Sequence, residues 1–204
     1  MNISIIGGGN LGISIAEGLA KSEFPEKVNL TVTRRNTAKI AHLAEMGMEV
    51  SKDNTLAVRK ADIVIFAVKP FQIKEVLHQV QPEFKEGQLL VSVVTGVSIA
   101  ELQEVAGEKP TIFRAAPNTA IAIQESMTCV ASHDATPEQE HLVIEIFNKL
   151  GKAIIIQEEL MRSATVLAAC GVAYAMRFIR AASQGGIEIG FGADVANEIA
   201  AQTV

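Results

Sequence analysis

The chain has 204 residues, 49% of them apolar and 20% charged, and a formal net charge of −5. Its length suits one good-sized domain, or one domain with a small appendage, and its apolar share is enough for a core with no stretch disordered by composition. The acidic balance, the lack of a long basic cluster, the absence of Trp and the single Tyr all argue against nucleic acid as the main partner.

In chain order, Asn2–Ile6 reads as a buried strand and Asn10–Ser22 as a helix with Ile13, Ala16, Leu19 and Ala20 on one side. Val28–Thr33 is the next strand and Thr37–Met46 the next helix, ended by Gly47. A short strand, Met48–Ser51, leads to Asp53, the expected N-cap of a turn of helix over Asn54–Lys60. "DIVIFAV" (Asp62–Val68) is a continuous β-branched run, as expected of a strand covered on both faces. Pro70 suits the first turn of a helix over Phe71–Val80. Leu89–Val94 is a strand, and Ser98 caps a helix over Ile99–Ala106. Thr111–Ala115 and Met127–Ser132 are further strands, followed by a helix over Pro137–Leu150 and a strand over Ala153–Gln157.

Strands alternating with helices predict an α/β fold, a Rossmann-type, mainly parallel sheet, over residues 1–157. The pattern changes at Glu158. Glu158–Gln184 reads as one helical stretch broken by Gly185-Gly186, and Asp194 is the expected cap of a last helix running to Val204. Residues 158–204 are thus expected to form a small, partial all-helical C-terminal unit, too small to bury a core of its own. Its apolar positions Val195, Ile199 and Val204 are expected to pack on a second copy of the chain rather than on the first domain.

The longest uncharged apolar run, Ser163 to Met176, is too short to cross a bilayer, and no signal peptide is expected ahead of the first strand. Cys129 and Cys170 form no metal spacing and read as reduced, packed thiols, so a cytoplasmic location is expected. His42, His78, His133 and His141 are scattered, with no carboxylate at a useful spacing, which argues against a metal site or a Ser–His–Asp arrangement.

Three motifs carry chemistry. "GGGNLG" fits G-x-G-x-x-G at Gly7, Gly9 and Gly12, after a strand and before a helix. The first glycine makes the sharp turn, the second clears the path of a pyrophosphate, and the third brings the helix close to the strand. Gly8, Asn10 and Leu11 complete the loop, and the helix start offers free N–H groups to an anion. A tight structural turn would use the same glycines, but the place at the head of a repeated strand–helix pattern favours the dinucleotide.

The second strand ends in Thr33-Arg34-Arg35-Asn36 where an NAD-binding domain usually has Asp or Glu. Guanidinium groups fork onto phosphate oxygens, so NADP(H) is preferred and NAD(H) is the lesser alternative. "AVKP" (Ala67–Pro70) follows the fourth strand, at the edge where ligands bind on open parallel sheets. Ala67 and Val68 border the expected nicotinamide ribose. Lys69 and Pro70 adjoin it, Lys69 better placed for cofactor contact than as a catalytic base. Thr95-Gly96-Val97 and "APNTA" (Ala116–Ala120) leave later strands at that edge and are candidates for the nicotinamide side. The chemistry expected is hydride transfer, with reactivity from the nicotinamide and position from the protein.

Together "IIGGGNLG", "TRRN", "DN" at 53–54, "AVKP", "VVTGV", "FRAAPNTA" and the closing "AAQTV" resemble pyrroline-5-carboxylate reductase, in order and spacing, along essentially the whole chain. The resemblance implies an N-terminal Rossmann domain and a helical C-terminal domain that intertwines in a homodimer, often within larger rings. It also implies reduction of 1-pyrroline-5-carboxylate to L-proline with NAD(P)H, the last step of proline synthesis. Gly7, Gly9, Asn10, Leu11 and Gly12 would then line the pyrophosphate. Arg34, Arg35 and Asn36 would meet the 2′-phosphate, and Asn54 the adenosine ribose region. Ala67–Pro70, Thr95-Gly96 and Pro117-Asn118-Thr119 would lie along the nicotinamide ribose and ring, with Asn118, Thr119 and Lys69 the candidates on the substrate side. A protonated imine is already electrophilic, so no dedicated strong acid is required.

Two departures stand beside the likeness. Where the family carries "SGSGPAY" this chain has "AACGVAY" (Ala168–Tyr174), and the family's Gly-Gly-Thr-Thr-like loop, which holds the substrate, lies beyond these residues. They leave open a non-catalytic NADP(H)-binding paralogue, acting as a sensor or interaction protein, and a related reductase with another small acceptor.

Overall fold

The computed structural model describes residues 1–204. The chain runs β1 (Asn2–Ile6), α1 (Asn10–Lys21), β2 (Asn29–Thr33), α2 (His42–Glu45), β3 (Glu49–Ser51), α3 (Asn54–Lys60) and β4 (Ile63–Phe66). It continues with α4 (Ile73–Val80), β5 (Leu89–Ser92), α5 (Ile99–Ala106), β6 (Thr111–Ala116), β7 (Ser126–Ser132), α6 (Pro137–Asn148) and β8 (Gly151–Ile155). It ends in α7 (Met161–Ala164), α8 (Gly171–Glu188) and α9 (Ala193–Thr203).

The eight strands form one sheet in the order β3-β2-β1-β4-β5-β6-β7-β8, and only the β6–β7 pair is antiparallel. Both faces are covered, as the continuous apolar strands require. Ile63 and Ile65 of β4 pack with α1, α2 and α6 through Ile15, Leu19, Leu43, Val143 and Phe147. Val64 and Phe66 face the other way and pack with α3, α4 and α5 through Val58, Leu77 and Leu102. Strand order reverses between β1 and β4, so the crevice beyond their carboxyl ends is the place where a doubly wound sheet takes a ligand.

Local chemistry sets most element starts. Asp53 Oδ1 accepts from the Leu56 N–H at 3.0 Å, and Ser98 Oγ accepts from the Glu101 N–H at 3.2 Å while Glu101 reaches back to Ser98. Pro70 opens a short 3-10 turn ahead of α4. The helix expected over Thr37–Met46 divides into a 3-10 turn over Thr37–Ile40 and the single α-turn of α2, ending before Gly47 at φ +85°.

The C-terminal segment departs further from expectation. Gly185-Gly186 does not break the helix; α8 runs through both to Glu188. A Cβ on Gly186 would stand 3.0 Å from the Cβ of Ala196, so this glycine serves the close approach of α8 and α9. The interruptions fall elsewhere, at a π-helical turn over Thr165–Ala169 and at Gly190, whose φ of +110° suits glycine. Nor does Asp194 cap the last helix. Gly192 holds the cap position and Asp194 lies in the first turn, where its charge complements the helix dipole.

Met161 packs with Cys129 and Ala131 of β7, which seats α7 on the sheet. Beyond that point α8 buries no residue, and α9 buries only Ala196 and Ala200. The helical stretch Glu158–Glu188 would suffice by length and composition to cross a membrane, longer than the apolar run within it indicates. Tyr174, Met176, Phe178 and Ile189 are all more than half exposed on this unit, an apolar surface that calls for a partner.

Candidate functional site

At the carboxyl edge of the sheet β1 runs directly into the glycine loop. Gly7 turns the chain at φ +110°, and a Cβ there would lie 2.8 Å from the Ala67 carbonyl oxygen and 2.9 Å from Val68 Cγ1. A Cβ on Gly12 would lie 2.1 Å from the Gly7 carbonyl oxygen, so α1 can start only against a bare backbone. Gly9 differs: its Cβ would meet no protein atom within 4 Å. The absence of a side chain at Gly7 and Gly12 serves the fold, whereas at Gly9 it leaves open the space above the loop.

The loop is tied to the end of β2. The Thr33 carbonyl accepts from the N–H groups of Gly7 at 3.2 Å and Gly8 at 2.7 Å, and the Gly9 N–H is turned back onto the Gly7 carbonyl at 2.8 Å. The first intrahelical bond of α1 runs from the Ile13 N–H to the Gly9 carbonyl at 2.9 Å. The N–H groups of Asn10, Leu11 and Gly12 are therefore the helix's free donors, and they face the edge that Gly9 leaves open. Thr33 Oγ1, buried at the same strand end, has no hydrogen-bond partner in the protein. An open glycine, three free N–H groups and an orphaned hydroxyl fit the diphosphate of a dinucleotide.

After β2, the half-buried Arg34 donates from Nη1 to the Gly8 carbonyl at 2.6 Å, and its backbone N–H donates to Ser51 of β3. Arg35 and Asn36 are exposed, and Asn54 opens α3 just after the Asp53 cap. Ala67 and Val68 are half-buried against Gly7, whereas Lys69 and Pro70 are exposed, and the Lys69 N–H donates to Gln72 Oε1. Thr95 and Gly96 are exposed beyond β5. Pro117 and Asn118 are half-buried beyond β6, and Thr119 is exposed.

Asn118 is held on three sides. Its N–H donates to Ser126 Oγ at 3.1 Å, its Oδ1 accepts from the Ala120 N–H at 3.0 Å, and its Nδ2 donates to the Ala168 carbonyl at 3.4 Å. It also lines an apolar cavity of about 640 Å³ with Met127, Cys129, Leu167, Ala168 and Gly171. The edge that follows β6 thereby meets the "AACGVAY" stretch. Burial pushes the Cys129 thiol upward, so it stays protonated and apolar there. Cys170, expected to be packed, is exposed.

Sequence reasoning missed one ion pair near this edge. Glu158 Oε1 accepts from Arg114 Nη1 at 2.9 Å and from the Ile99 N–H at 2.7 Å, joining β6, the start of α5 and the start of the helical segment. An arginine within an apolar strand was the available signal; its partner 44 residues away carried none. The histidines need a correction too. His42 lies 3.2 Å from Glu17, His133 3.4 Å from Asp134 and His141 3.5 Å from Glu145, all on the surface. No group of three metal-ligating side chains comes together.

Residues 2–96 match the family model described as NADP oxidoreductase coenzyme F420-dependent, and residues 158–204 match that for pyrroline-5-carboxylate reductase dimerisation. Pyrroline-5-carboxylate reductase 2 of Dictyostelium discoideum is 40% identical over 220 residues, a match covering 99% of this chain and 73% of that protein. The chain belongs to the pyrroline-5-carboxylate reductase family.

Solved pyrroline-5-carboxylate reductases agree. The Coxiella burnetii enzyme superposes with a TM-score of 0.93 at 28% identity, over 99% of this chain and 76% of its own. The Plasmodium falciparum reductase, solved with NADP bound, superposes with a TM-score of 0.83 at 26% identity, over 100% of this chain and 75% of its own. The family's dimerisation segment coincides here with the helices whose apolar side chains stand exposed.

Proposed function

We propose that this chain reduces 1-pyrroline-5-carboxylate to L-proline with NADPH, as a homodimer formed through residues 158–204 beside a dinucleotide-binding domain over residues 1–157. One observation carries the cofactor half: Gly9, the N-cap of α1, alone among the three motif glycines would carry a Cβ into empty space. The reductase name of the relatives and the NADP in the Plasmodium structure support the same reading.

When bound, NADPH supplies the hydride. The protein's part is position and charge. Asn10, Leu11 and Gly12 receive the diphosphate on the helix N-terminus, the basic segment after β2 favours a 2′-phosphate, and Asn54 adjoins the adenosine ribose. Ala67–Pro70, Thr95, Gly96 and Pro117 border the nicotinamide side. Asn118 joins that side to the cavity in which Ala168 and Gly171 stand, and with Thr119 it flanks the imine. A cyclic imine protonated in solution arrives ready for reduction, which matches a strand edge with no buried general acid.

The test is purified protein incubated with the imine and NADPH. Loss of NADPH absorbance matched mole for mole by L-proline is expected. Cofactor binding without proline would instead place the chain among non-catalytic members or among reductases of another acceptor.

A further inference from the structure

We infer that Arg34 works on the diphosphate seat and not on the 2′-phosphate: it is a positioning residue that holds the glycine loop, which leaves the 2′-phosphate to its exposed neighbour Arg35. Gly8 is gripped at both of its backbone groups by the end of β2. Its N–H donates to the Thr33 carbonyl at 2.7 Å, and its carbonyl accepts from Arg34 Nη1 at 2.6 Å. Its Cα is enclosed as well, since a Cβ there would meet Ile40 at 3.2 Å and Val32 Cγ1 at 3.3 Å.

A charged donor on a peptide carbonyl forms one of the stronger hydrogen bonds, and this one fixes the peptide between Gly8 and Gly9. That peptide sets the position of Gly9 and hence of the three free N–H groups after it. The half-buried Arg34 guanidinium therefore acts on the diphosphate seat, which NADPH and NADH share. Arg35 makes no hydrogen bond or ion pair through its side chain, stands exposed beside Asn36, and keeps its whole donor fork for a phosphate group at the strand edge.

The inference rests on the dinucleotide reading and is tested separately from it. Dissociation constants for NADPH and NADH are measured by calorimetry on wild type and on R34A, R34K and R35A, with the thermal midpoint of each free protein. Wild type binding neither nucleotide would sink the dinucleotide reading itself. Given binding, R35A is expected to weaken NADPH about tenfold to a hundredfold and leave NADH within about twofold, erasing the preference. R34A is expected to weaken both nucleotides by the same factor and keep their ratio within about twofold of wild type, with R34K, which can still donate to the Gly8 carbonyl, recovering part of the loss. An R34A protein that loses NADPH selectively, or an R35A protein that keeps the wild-type ratio, would overturn the inference.

Discussion

A methyl group on Gly12 would sit 2.1 Å from the Gly7 carbonyl oxygen, whereas one on Gly9 would meet nothing in the protein. The two substitutions should separate fold from function. Gly12→Ala is expected to cost roughly 1–3 kcal/mol, because α1 must move off β1 to admit the side chain. Gly9→Ala is expected to stay within about 0.5 kcal/mol of wild type yet bind NADPH at least about tenfold more weakly, its methyl standing where the diphosphate approaches. Urea unfolding and calorimetric titration check the two halves. A Gly9→Ala protein that binds NADPH normally would remove the dinucleotide from this loop.

At the scale of elements, α5 and the start of the helical segment meet at one carboxylate. Glu158 satisfies the first N–H of α5 and pairs with Arg114, whose Nε is already buried without a partner. Removing it with Glu158→Ala should cost about 1–3 kcal/mol by urea unfolding, while Glu158→Gln, which retains an acceptor, should cost less. A smaller loss for Ala than for Gln would contradict this role. The α5 start also titrates. The Glu101 carboxylate accepts from the Ser98 N–H at 2.9 Å, and that bond, with the Ser98 hydroxyl, holds its pKa below the ordinary carboxylate range. A lowered folded pKa means that the stabilisation is present above the unfolded value and is lost as pH falls through the folded one. An NMR titration should therefore find Glu101 low in wild type and raised in Ser98→Ala. The caps at Asp53 and Ser98 were readable because they are written within four residues of sequence. The run of α8 through Gly185-Gly186 was not, because what makes Gly186 necessary is Ala196 on another helix. The Arg114–Glu158 pair was hidden for the same reason, and Arg34 showed its charge in the sequence but not its grip on Gly8.

At the scale of the molecule, a two-faced, mainly parallel sheet delivers six loops to one edge, after each strand from β1 to β6, and that much followed from the alternation of apolar strands and helices. The helical segment is different, since α8 buries no residue within one chain. Tyr174, Met176 and Phe178 stand exposed there in the family's dimerisation segment, and a second copy is the partner that fits. Sedimentation should find a dimer at micromolar concentration, and Phe178→Glu should shift it toward monomer while leaving NADPH affinity within about twofold, because the glycine loop and Arg34 are held by hydrogen bonds among β1, β2 and β3. A clean wild-type monomer would refute the assembly. Transfer of hydride from NADPH to the imine carbon is measured most directly by following the atom itself. Protein, 1-pyrroline-5-carboxylate and NADPH carrying deuterium at the nicotinamide C4 should yield L-proline with one deuterium on the former imine carbon, in the sample made with one of the two C4 epimers and not the other. Unlabelled proline from both epimers, or no proline from folded, NADPH-bound protein, would contradict it.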